Sequence, residues 1–170
     1  MGLDILIYKT TNKNYFDDYL NYLNSDSNED FDDGEEVCYF RKKNMLIPFL
    51  RKHVGIDDKT YISRAVSKKV FELLIYTIDE LLASIPDEAS EVIENPPDDM
   101  SDEELPYYDS LPEEIVKKCE ELLPTQSGFF FGNTDYDIFY VWSLQQIKED
   151  ISKLLESFDD KCFYHFIFDW

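Results

Sequence analysis

Histidine and cysteine are scarce in this chain, and their scarcity removes whole classes of chemistry. His53 and His165 are the two histidines, too few and too far apart for a recognisable metal site or catalytic triad. Cys38, Cys119 and Cys162 are odd in number, widely spaced and without a CxxC, which argues against a disulfide framework or a zinc cluster. They read as reduced thiols. No P-loop, GxSxG, HExxH or GxGxxG occurs, so the sequence indicates no catalytic residue, no metal and no cofactor. An apolar run of membrane-spanning length is missing, as is a basic n-region at the start. A soluble cytoplasmic protein without a membrane partner is the expectation.

Positive charge is also short: 16 Lys and Arg stand against 37 Asp and Glu, a net charge of −21. Excess acid repels nucleic acid, so direct nucleic-acid binding is not expected, although an acidic surface can imitate nucleic acid towards a basic partner. The deficit is uneven. Residues 14–40 carry nine acids and no base, and residues 70–116 carry fifteen acids and no base. Between them, residues 41–69 hold nine Lys and Arg against Asp57 and Asp58, a local net of +7. A basic island lies between two acidic blocks.

What is plentiful is aromatic: 13 Phe and 12 Tyr in 170 residues, enough to build one core without disulfides. One domain over 1–170 is expected, with 86–112 as an acidic insertion. Leu3–Tyr8 reads as a central strand, residues 14–24 as a short helix, and Ser25–Gly34 as a polar loop. Glu36–Phe40 reads as a second strand. Arg41–Val54 has helical spacing with Gly55 as its stop, and Pro48 must sit in its first turn or kink it. Val66–Ile85 is the clearest amphipathic helix. Ser110-Leu-Pro-Glu113 is a capping signal for a helix to about Leu123, and a long helix is expected over about Asp135–Phe158. Gly128-Phe-Phe-Phe-Gly132 reads as a short buried strand, and Cys162–Phe168, apolar on both faces, as a covered one. The predicted class is α+β, a single small sheet of about four strands covered by helices.

Two junctions offer polar residues. At Tyr39-Phe40-Arg41-Lys42-Lys43-Asn44 a strand runs into a helix, and Arg41, Lys42 and Asn44 can grip an anion there. Arg51, Lys52 and Arg64 would add charge, with Tyr39, Phe40 and Tyr136 available to stack on a base. The bland alternative is a solvated basic face paired with the acidic blocks. At Gly132-Asn133-Thr134-Asp135-Tyr136-Asp137, Asn133, Tyr136 and the turn amides can hold a polar group. Asp135 and Asp137 can hold a divalent ion, although no third or fourth ligand is evident. The alternative there is an Asx-type turn with Thr134 as N-cap.

The opening Met1-Gly-Leu-Asp4, the segment Glu36-Val-Cys-Tyr-Phe-Arg-Lys-Lys-Asn44, the stretch Leu123–Asp137 and the aromatic end at Trp170 resemble a group of small phage and prophage proteins. That pattern starts MGLD, carries a Tyr-Trp-Arg-Lys-x-Asn-x-x-His-like segment and contains a Gly-Phe-Phe-Phe-Gly block. Arg41, Lys42, Asn44, Gly128, Gly132, Asn133, Tyr136 and Asp137 match, while Phe40 replaces the usual Trp and Pro48 stands near the usual His. The resemblance implies a phage or mobile-element origin and a host-cell setting. Together these features lead to the expectation of a non-enzymatic counter-defence protein that sequesters a small anionic, nucleotide-type ligand. Its ligand-binding residues would be Tyr39, Phe40, Arg41, Lys42, Asn44, Arg51, Arg64, Asn133 and Tyr136. The rival expectation is an acidic, nucleic-acid-mimicking inhibitor of a host nucleic-acid-handling or defence protein, built on residues 14–36 and 86–112.

Overall fold

A computed structural model describes residues 2–25, 31, 34–56, 62–94, 104–128 and 131–169. Strand β1 (Asp4–Thr10) is followed by α1 (Tyr15–Leu23), β2 (Glu35–Arg41), α2 (Leu46–Val54), α3 (Lys68–Leu82), α4 (Asp87–Glu94), α5 (Glu113–Leu122), α6 (Ile138–Glu156) and β3 (Phe163–Asp169). The class is α+β. The three strands form one antiparallel sheet in the order β2-β1-β3, so the most apolar early segment takes the centre. A register shift between Ile7 and Tyr8 interrupts the β1–β2 ladder.

The two sheet faces do different work because side chains alternate along each strand. Ile5, Ile7, Phe40, Phe166 and Phe168 point into the main core, where α3 and α6 pack together over them. Phe71, Leu74, Ile78 and Leu81 of α3 are buried there, as are Leu144, Ile147, Ile151 and Leu154 of α6. Each such fully buried side chain contributes roughly 1.5–3 kcal/mol relative to exposure. The opposite face carries a smaller cluster, Tyr15, Ile62 and Ile167, with Tyr8, Phe16, Tyr19, Leu20 and Phe31 packed on it. This second layer is why β3 is buried at five consecutive residues, Tyr164 to Phe168.

Several expectations shift. Among the described residues the Gly128–Gly132 block adds no fourth strand; Phe129 and Phe130 lie outside them. Its described flanks turn rather than extend: the Phe131 N–H donates to the Gly128 carbonyl at 3.2 Å, and the Phe131 ring folds back over Gly128. α2 starts at Leu46, five residues later than the apolar spacing suggests, because Arg41 still belongs to β2 and Lys43–Met45 form a turn. Pro48 therefore sits in the first helical turn, where no N–H is needed. α5 begins after Pro112, and the Ser110 hydroxyl bonds the Leu111 carbonyl instead of capping the helix. The expected acidic insertion at 86–112 contains a helix, α4; residues 95–103 lie outside the described residues, as does most of the predicted Ser25–Gly34 loop.

Candidate functional site

Asn44 joins the two polar junctions. It is 1 % exposed, and its side-chain amide donates to the carbonyls of Phe131 (3.2 Å) and Asn133 (2.9 Å). Its carbonyl oxygen accepts from the Gln126 N–H at 3.3 Å. One buried side chain thus ties the turn after β2 to both sides of the Gly128–Gly132 block. The Arg41–Asn44 junction and the glycine-bounded corner lie against each other.

Directly above that latch, Lys42 has φ 58°, a left-handed conformation that a lysine adopts only when the surroundings impose it. Its N–H donates to the Leu3 carbonyl at 2.7 Å, and its aliphatic stem covers Gly132, which has φ 93°. Arg41 and Lys42 are exposed and flank Gly2: a Cβ there would lie 3.8 Å from Arg41 Nη2 and 3.6 Å from Lys42 Cε. Beside them Tyr39, 47 % exposed, donates its hydroxyl to Asp4 Oδ1 at 2.7 Å. That bond, with burial and the Asp4 charge behind it, holds the phenol above its ordinary pKa.

The other sequence-nominated residues are committed elsewhere. Phe40 is 2 % exposed and faces the main core, so its ring cannot stack on a ligand. Asn133 accepts the Asp135 N–H in the expected Asx turn and donates to Asp137 Oδ2 at 3.0 Å. Asp137, not Thr134, caps α6, accepting the Tyr140 N–H at 2.9 Å, while the Thr134 carbonyl accepts from the Thr125 hydroxyl. Burial pushes the Asp137 carboxyl up despite these bonds. The Tyr136 hydroxyl accepts the Thr125 N–H at 3.0 Å. Arg51 donates to Gln126 Oε1 at 2.9 Å and braces the corner from α2. Arg64 lies over the Phe16 ring at 4.9 Å. It belongs to the segment that bonds along β3, at the sheet edge opposite Arg41. The structure therefore brings Arg41, Lys42 and Tyr39 together at the surface, with Asn44, Asn133, Tyr136 and Arg51 as their scaffold.

Lys43 and the polar face of α6 join this surface without a charge or motif signal that nominates them. A cleft of about 400 Å³ between β2 and α6 is lined by Tyr39, Arg41, Lys43, Gln146, Glu149 and Asp150, among others. Lys43 donates from Nζ to Ser143 Oγ (2.9 Å) and Gln146 Oε1 (2.6 Å), and burial pulls its pKa down. Burial pushes Asp150 up. The i, i+3, i+4 spacing of Gln146, Glu149 and Asp150 was the available signal, though nothing local says which strand such a face meets. Among the described residues no group of three or more His, Cys, Asp or Glu is placed to hold a metal ion, and no helix is long and apolar enough to cross a membrane. No protein-family model, curated protein or solved structure matches the chain.

Proposed function

We propose that the protein binds a small anionic, nucleotide-type ligand at the Arg41–Lys42 corner and sequesters it. The observation that carries this reading is the latch at Asn44, a buried, hydrogen-bonded side chain beneath two exposed cations, Arg41 and Lys42. In a chain of net charge −21, an exposed guanidinium and ammonium backed by glycine-bounded backbone form a local attractor for phosphate. Lys42 held at positive φ fits a binding role, since strain of this kind persists where the fold enforces it for use. The resemblance to small phage and prophage proteins supplies the setting: a host nucleotide signal of defence, removed by binding rather than by turnover.

Calorimetry with nucleoside mono-, di- and triphosphates and pyrophosphate tests the reading. Binding that weakens tenfold or more in Arg41→Ala and in Lys42→Ala is expected. No titratable phosphate compound across the panel would sink it.

The acidic-mimic reading, built on residues 14–36 and 86–112, retains one specific support: Asp17, Asp18, Glu35, Glu36, Asp87, Glu88 and Asp109 of those blocks are all exposed. A basic protein partner lost on neutralising these acids, with Arg41→Ala harmless, would favour it.

A further inference from the structure

The outer face of the sheet carries a second feature, a groove of about 690 Å³ between α1 and the β1–β3 strands. Tyr8, Tyr19, Tyr22, Phe31, Leu6 and Asp169 form the part of its wall that matters here. The rings are arranged around Phe31, whose centroid lies 5.3 Å from those of Tyr15, Tyr19 and Tyr22 alike. Tyr8, Tyr19, Tyr22 and Asp169 line this one space, and burial, with Tyr8, Asp169 and Tyr22 beside it, holds the Tyr19 phenol above its ordinary pKa.

The sheet register connects this groove to the basic corner. Arg41 pairs with Asp4 and Asp4 with Asp169; one row further, Tyr39 pairs with Leu6 and Leu6 with Ile167. These residues share the face away from the main core. Arg41 and Asp169 are therefore two interstrand spacings of about 4.8 Å apart along one row. That is the reach from a stacked base through a ribose to its phosphate. The groove is wrong for a plain aliphatic chain, because three phenols and a carboxylate would lose hydrogen-bonding water without replacement.

We infer that the tyrosine groove holds the base of the same nucleotide whose phosphate meets Arg41 and Lys42, with Asp169 accepting an N–H of the base edge. This assignment rests on the anion-binding reading above and names the part of the ligand that reading leaves open. Base–aromatic stacking tolerates any base, since each has a π face, so the groove selects nucleotides over other phosphates rather than one base over another. The aromatic residues that stack are then Tyr19 and Tyr22, not Phe40 or Tyr136.

The test compares ribose 5-phosphate with adenosine and guanosine monophosphates on the full chain. Each nucleotide should bind about tenfold or more tightly than ribose 5-phosphate, the effect of one lost stacked ring. Tyr19→Leu and Tyr22→Leu should each shrink that preference while leaving ribose 5-phosphate affinity unchanged; the second, at the more accessible end of α1, guards against a folding defect in the first. Asp169→Asn should weaken the nucleotides alone. Ribose 5-phosphate binding as tightly as the nucleotides, or a preference that survives both tyrosine variants, overturns the groove assignment and leaves the anion site standing. Failure of every phosphate compound to bind overturns both.

Discussion

Lys42 and Gly132 meet with both backbones at positive φ, 58° and 93°, and a Cβ on Gly132 would stand 3.1 Å from the Lys42 Cβ. Gly132→Ala therefore adds backbone strain and a tight contact together. A loss of about 1–3 kcal/mol is expected, read as a lower urea midpoint at unchanged slope. Lys42→Gly should do the reverse, raising stability by up to about 1 kcal/mol while weakening phosphate binding. A Lys42→Gly protein that is both less stable and unchanged in binding contradicts this account.

Asn44→Ala strips hydrogen bonds from two carbonyls and one amide in a buried setting. The expected cost is about 2–4 kcal/mol, beyond what an exposed amide would cost. Proteolysis should show the first cleavages appearing around residues 124–136, since that segment loses its tie to the sheet. Uniform resistance there would show that the latch does not hold the corner.

His165 should make the fold acid-sensitive. Its Nδ1 donates to the Ser63 carbonyl at 2.9 Å, while its buried Nε2 has no partner among the described residues. Burial lowers its pKa below the ordinary 6.5. The unfolded chain then takes up a proton at higher pH than the folded chain, so stability is complete above about 6.5 and falls as pH drops through and below that value. His53 shifts the same way at an exposed site, so the variant isolates the buried group. Urea midpoints at pH 5.5 and 7.5 should differ less in His165→Gln than in the parent chain. An equal difference in both proteins would assign the acid sensitivity elsewhere.

The thiols should be slow. Burial pushes Cys38 up to about 12 and Cys119 up to about 11, which leaves little thiolate at pH 8. Alkylation of both in the native protein should run at least about tenfold slower than in urea, followed residue by residue by mass spectrometry. Rapid native labelling of Cys38 would mean that the β2–α6 packing opens readily.

Much of the fold was legible because its signals are local and repeated. The apolar runs of β1 and β3 and the stripes of α3 and α6 announce buried faces through their spacing alone. Three phenylalanines in a row looked like the same signal. Yet Phe131 curls over Gly128, and the missing side chain that suggested strand ends permits a turn instead. Helix starts differ from the capping signals for a related reason. Thr134 and Ser110 have the right chemistry for caps, but Asp137 and Pro112 occupy the cap positions once tertiary packing fixes where each helix meets the core. At the site, charge and motif nominated Arg41 and Lys42, while burial of Phe40 and the commitment of Asn44 depend on long-range contacts that sequence order does not display. Arg64 illustrates the limit of charge counting: it is close in sequence to the island and lies at the other edge of the sheet.

The strand order has a consequence for how the chain is made. β1 leaves the ribosome well before β3, at residues 163–169, which is one of its two neighbours. Until then one side of the central strand stays unpaired, and the aromatic outer layer lacks Ile167 as its floor. Contacts of such long separation slow folding and leave an open edge while synthesis continues. The Tyr8–Tyr19–Tyr22 groove is thus completed only after β3 has been made, when that strand closes the sheet.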